Sequence, residues 1–149
     1  LFLKAQVVNW ILAAIDGHAK NYSVFLGPGG IRMTPLYDIL SAAPAMATGA
    51  FRNRELRLAM SVGRRWHYRL DQIQPRHFEE TAALAHVPLG IRRRAFDNLA
   101  ARGPTAIEGV ASTLPNGFPD RVSGPIIEHA VNRMALLAGQ SEPSLINHE

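Results

Sequence analysis

Cysteine is absent from these 149 residues. A disulfide framework and thiolate metal sites are thereby excluded, and a reducing compartment, the cytoplasm, is expected. Lysine is almost absent as well: Lys4 and Lys20 are two of the 16 basic residues, and the other 14 are arginine. With 12 acidic residues the formal net charge is +4, and the pI is about 10.1. That balance admits a nucleic-acid surface. Arginine and alanine richness with little lysine is equally what a GC-rich genome encodes. Long hydrophobic runs are also missing. Val7 to Ile15 is strongly apolar, but it is too short and too interrupted to cross a bilayer. Lys4 is the one charge before it and no cleavage pattern follows, so it reads as a buried helix, and no membrane contact is expected.

What remains is a globular composition, 47% hydrophobic and 19% charged, in a chain sized for one domain with one core. The first residue is leucine and the chain enters an apolar helix at once, so a fragment of something longer is expected. Residues 1–15 are apolar on nearly every face, with Lys4, Gln6 and Asn9 as exceptions, and a helix of that kind lies inside a domain. Asp16-Gly17 ends it. Tyr22–Leu26 and Ile31–Thr34 are strand candidates around a Gly27-Pro-Gly-Gly30 turn. Residues 41–55 read as an irregular crossing segment, and 56–63 as a short strand or turn. Residues 70–139 read as a helical bundle: Pro75 suits a first helical turn, Gly103-Pro104 should end the helix from Leu89, and Ser123 should cap the last helix, which Gly139 stops. Residues 140–149 form a polar tail.

The chemistry sits in Asp16-Gly-His-Ala-Lys-Asn21, followed by the hairpin and then Asp38. An Asp, an Asn five positions on, and a second Asp after a hairpin match a kinase catalytic loop and its metal-binding Asp. Phosphoryl transfer needs a hydroxyl held in line with the γ-phosphate and cations to neutralise developing charge. Asp16 would face the acceptor hydroxyl. Asn21 and Asp38 offer the hard oxygen ligands that Mg²⁺ prefers. His18 and Lys20 would donate to phosphate oxygens, Lys20 as a point charge. Each residue also has a plain reading: Asp-Gly as a turn, His18 as a local hydrogen-bonder, Asp38 as a helix cap. The order of helix, loop, hairpin and Asp favours the kinase reading.

Ile15–Asn21, Pro35-Leu36-Tyr37-Asp38, the lead-in Val8-Asn9-Trp10 and Leu58-Ala59-Met60 with Gly63 carry a family resemblance. On these residues the chain resembles the C-terminal region of HipA-like serine/threonine kinases, the toxin component of bacterial HipBA toxin–antitoxin modules. The resemblance covers residues 1 to about 100, with weaker helical similarity to about 139. It implies a mainly α fold, the helical C-terminal lobe of a two-lobe kinase, with a small β-hairpin between the catalytic loop and the metal-binding Asp. It implies Asp16 as catalytic base, Asn21 and Asp38 as Mg²⁺ ligands, and His18, Ala19, Lys20, Asn21, Tyr37 and Asp38 around ATP. It further implies a protein substrate, for which the family's targets include aminoacyl-tRNA synthetases, and a role in growth arrest and persistence. A small helix-turn-helix antitoxin would be a partner, with DNA contacted mainly through it.

One departure stands beside these matches. The family's Gly-rich phosphate loop, strand lysine and adenine hinge precede the catalytic loop, and none is in this sequence. The N-terminal lobe is therefore expected to be absent, the isolated chain to bind ATP weakly at most, and apolar surface left uncovered to promote self-association. The competing reading is a non-catalytic module derived from such a kinase, contacting antitoxin or DNA through Arg64, Arg65, Arg69 and Arg92–Arg94. For the Arg92–Arg94 run a solvated helix face is favoured. For Trp66 and Tyr68, packing at the base of the lobe is preferred over base stacking.

Overall fold

The computed structural model describes residues 1–139; the polar tail expected at 140–149 lies outside them. Among the described residues there are five α-helices and two separate two-stranded antiparallel sheets, so the fold is mainly α. The order is α1 (Phe2–Ile11), β1 (Val24–Gly27), β2 (Gly30–Met33), α2 (Ala43–Ala47), β3 (Arg57–Val62), β4 (His67–Arg69), α3 (Pro75–Leu84), α4 (Leu89–Ser112) and α5 (Asp120–Ala138). Short 3-10 turns occupy Ala19–Asn21 and Asn53–Glu55.

α1 is buried as its composition requires, and its side chains meet α3, α4 and α5. Trp10 is fully buried, with its ring 5.7 Å from that of Phe78 on α3 and 5.0 Å from the Arg133 guanidinium on α5. Val7, Leu70, Ile73, Phe78 and Leu137 complete the centre of one apolar cluster. The helix stops short of the expected boundary at 15. Ala13 turns into the left-handed region at φ 52°, and its carbonyl accepts from Ala42 N–H at 2.9 Å. Residues 13–15 are thus non-helical backbone, buried at Ala13 and Ala14 and half-buried at Ile15, held by partners from elsewhere in the chain.

The β1–β2 hairpin has the expected form, with Val24 opposite Met33 and Leu26 opposite Ile31. Both strands begin and end within two residues of the expected bounds. The stretch 41–55 is more ordered than expected, since it contains α2 and the second 3-10 turn. Residues 57–62 form β3, paired with β4 through an irregular register.

Two further helix boundaries depart from the sequence reading. α4 runs through Gly103-Pro104 without ending, so the expected break there is corrected. Gly103 faces the Met134 side chain of α5, and this close approach continues the helix across a position that propensity would end. α5 begins at Asp120, preceded by Pro119, rather than at a Ser123 cap. No helix among the described residues is long and apolar enough to cross a membrane.

Candidate functional site

Asp16 follows directly on the pinned segment. Ile15 carbonyl accepts from Ala59 N–H of β3 at 2.9 Å, so the chain is fixed in place one residue before the loop. Gly17 then crosses over Asn9 of α1. A Cβ at position 17 would lie 2.9 Å from Asn9 Cγ and closer still to its amide nitrogen, so glycine is the residue the crossing admits. Asn9 cannot retreat easily. Its Nδ2 donates to the Tyr22 hydroxyl at 2.7 Å, and Gln6 Nε2 donates to the same oxygen at 2.6 Å. Burial pushes the Tyr22 phenol above its ordinary value of 10.0, and the two amides pull it partway back. The two polar residues on an apolar helix therefore hold the far end of the loop through one tyrosine.

Between these anchors His18 precedes the 3-10 turn and accepts from Lys20 N–H through Nδ1 at 3.4 Å. One imidazole nitrogen thus serves the local turn, the plain reading of that residue. Asp16, His18, Ala19 and Lys20 are exposed and Asn21 is buried. Asn21 Nδ2 donates to the Asp16 carbonyl at 2.8 Å and lies 3.4 Å from Asp38 Oδ2. Asn21 Oδ1 makes no hydrogen bond within the described residues.

The hairpin brings Asp38 back. Thr34 N–H donates to Ser23 carbonyl at 3.0 Å, and the Ser23 and Tyr37 hydroxyls are 2.8 Å apart, closing the strand ends. Asp38 then adopts φ 56°, a left-handed conformation that Asp tolerates better than most residues. A cleft of about 10 Å³, room for about one water, lies between Asn9, Gly17, Asn21 and residues 36–39. Of the expected site residues, Asp16 through its backbone, Asn21 and Asp38 come together. Lys20 makes no ion pair with Asp16 or Asp38, and Tyr37 is spent on closing the hairpin. Sequence reasoning assigned no role to Gln6, Asn9 and Tyr22. The signal available was a pair of amides three residues apart on an otherwise apolar helix.

The side-chain types suit a hard cation, an amide and a carboxylate from two elements, although it is the amide nitrogen of Asn21 that faces Asp38 here, so a cation would require the amide to turn its oxygen inward. Among the described residues no group of three or more His, Cys, Asp or Glu side chains could hold a metal. A cation here would therefore draw its remaining ligands from water or phosphate, the pattern Mg²⁺ favours.

Comparison with known proteins bears on the fold and the family. Residues 1–110 match the model of the HipA-like C-terminal domain. The chain is 29% identical over 133 residues to the putative kinase Y4mE of Sinorhizobium fredii, covering 89% of this chain and 29% of the relative. It is also 29% identical over 126 residues to the serine/threonine-protein kinase toxin HipA of Shewanella oneidensis, covering 81% of this chain and 26% of the relative. The chain thus spans less than a third of the length of either relative. A solved complex of Shewanella oneidensis HipA, HipB and operator DNA contains a chain with the same fold, at a TM-score of 0.67 and 21% identity, over 96% of this chain and 33% of that one. The loop, hairpin and Asp38 lie within the matched residues, and the chain belongs to the family of HipA-like C-terminal domains.

Proposed function

We propose that this chain forms the catalytic-loop portion of an ATP-dependent serine/threonine protein kinase of the toxin type. The single observation that carries the reading is the approach of Asn21 to Asp38 within 3.4 Å, with the Asn21 amide held by the Asp16 carbonyl. Asn21, through Oδ1, and Asp38, through its carboxylate, would hold Mg²⁺, which when bound neutralises charge on the phosphates. The exposed Asp16 carboxylate accepts the proton of a protein hydroxyl as its oxygen bonds to the γ-phosphorus and ADP leaves. Lys20, exposed one residue before Asn21, supplies positive charge to the phosphates, and His18 and Ala19 line the same side. The kinase names of the two relatives support this reaction class, and the complex of the solved relative supports a small DNA-binding antitoxin as partner.

The Gly27–Gly30 segment forms the tip of the β1–β2 hairpin, after the catalytic loop, and so is a turn and not a phosphate-covering loop. The 149-residue chain by itself is therefore expected to give no saturable calorimetric signal with ATP. The metal assignment is tested directly. Mn²⁺ titrated into the isotope-labelled chain should broaden the amide resonances of residues around Asn21 and Asp38 first. Asp38→Ala should abolish that broadening and leave the rest of the spectrum in place. Broadening centred elsewhere, or indifferent to Asp38→Ala, would end the proposal.

A further inference from the structure

We propose that the turn joining β3 to β4 is a binding site for single-stranded nucleic acid, with Trp66 as a stacking face and Arg64 and Arg65 as phosphate contacts. This is independent of the kinase reading. The sequence favoured packing for Trp66, yet the side chain is 73% exposed, while the other tryptophan, Trp10, is fully buried. Trp66 is held at φ 55°, in the left-handed region that bulky residues rarely adopt. Tyr68, two residues on, is 40% exposed.

The turn is not a loose tip. Gly63 N–H donates to Thr81 Oγ1 at 2.7 Å, and Arg64 N–H donates to Glu80 Oε2 at 2.9 Å, both on α3. His67 of β4 stacks face to face on the buried His77 of α3, with ring centres 3.9 Å apart and planes 4° from parallel. Gly63 lies so close to His67, His77 and Glu80 that a side chain there would crowd all three. The backbone is thus clamped on both sides of Trp66, and the aromatic face is presented on a fixed base.

The charges point the same way. Arg64 and Arg65 are exposed, and the one ion pair among the described residues joins Arg69 to Asp71. Neither the Arg64 nor the Arg65 guanidinium forms an ion pair within the described residues, although the Glu80 carboxylate, which accepts from the Arg64 backbone N–H, is near enough to feel the Arg64 charge. An acidic peptide would satisfy those cations and leave the indole in water. An apolar protein surface would cover the indole and desolvate the cations. A single strand meets both demands, because every base has a π face and every linkage a phosphate.

The two tryptophans make the test direct. Twelve-residue oligothymidylate and oligouridylate are titrated into the chain while indole emission is followed, with a labelled strand read in parallel by anisotropy. Buried Trp10 is shielded, so quenching reports Trp66. Trp66→Ala should weaken binding roughly five- to 150-fold, the range for loss of one stacked base, and Trp66→Phe should recover much of it. Arg64→Ala with Arg65→Ala should lower the slope of log affinity against log salt by about 1.4, or about 0.7 per phosphate contact. Unchanged circular dichroism would confirm that these exposed substitutions leave the fold intact. No binding by anisotropy, binding unaltered by Trp66→Ala, or competition by polyglutamate as strong as by oligothymidylate would each overturn the proposal. The last outcome would assign the turn to an acidic protein partner.

Discussion

At the scale of single residues, the candidate site depends on contacts made behind it. Gly17 rests on the Asn9 amide, and that amide is already committed to Tyr22. Gly17→Ala must push Asn9 aside and break the bond, so it should cost about 1–3 kcal/mol, the range for leaving a buried polar group unpaired. A fall in the urea midpoint at constant slope would measure it. Tyr22→Phe removes the acceptor that Gln6 and Asn9 share and should cost a similar amount, also about 1–3 kcal/mol. If Tyr22→Phe were neutral, solvent would be satisfying both amides and the tyrosine would not be holding the loop. Trp10 packs fully buried against Phe78, and Trp10→Ala should cost about 3–5 kcal/mol by leaving a cavity beside Arg133.

At the scale of elements, α4 is the informative case. It is 24 residues long and keeps Pro104 in its interior, where one backbone hydrogen bond is lost and the ring crowds the preceding turn. Contacts between α4 and α5, Gly103 against Met134 among them, hold the helix through that point. Pro104→Ala should therefore stabilise the protein, by about 1–3 kcal/mol, with little change in helix content by circular dichroism. A loss of stability would mean that a bend at Pro104 is needed to seat α4 on its neighbours. The hairpin shows the opposite relation between sequence and packing. Its β1 side chains are all exposed, and strand pairing with the Pro28-Gly29 turn suffices to form it.

At the scale of the whole molecule, two histidines link folding to pH. Burial, then the charges of His67 and Arg76, hold His77 below its ordinary value of 6.5, while Glu80 opposes them weakly. Burial and the Arg133 charge do the same to His129 on α5, against a backbone hydrogen bond at Trp10 that raises it. Both groups bind protons more readily unfolded than folded. Their contribution is complete above pH 6.5 and is lost as pH falls from there through the folded-state values. Thermal melts at pH 7.5 and pH 5.5 should show a lower midpoint at the acid value. His77→Gln should flatten that difference if the fold survives; if it does not, His129→Gln offers the same reading on α5. Glu80, lowered chiefly by the Arg64 backbone N–H, remains ionised throughout that range and does not contribute to it.

Local pattern was enough for the apolar first helix, the hairpin and the order of loop and Asp38, because each rests on residues near one another in the chain. Gly27–Gly30 favours a turn, and a helix apolar on nearly every face is driven inside. The nearness of Asn21 to Asp38 was also implied, since a short hairpin must return the chain close to where it left. Packing between distant segments decided the rest. It carried α4 past Gly103-Pro104, turned Ala13 out of the helix and assigned Gln6 and Asn9 to Tyr22. It also left Trp66 in solvent, where its apolar surface alone would have placed it inside. Those outcomes depend on which side chain arrives opposite, and residue type and spacing along the chain carry no record of that.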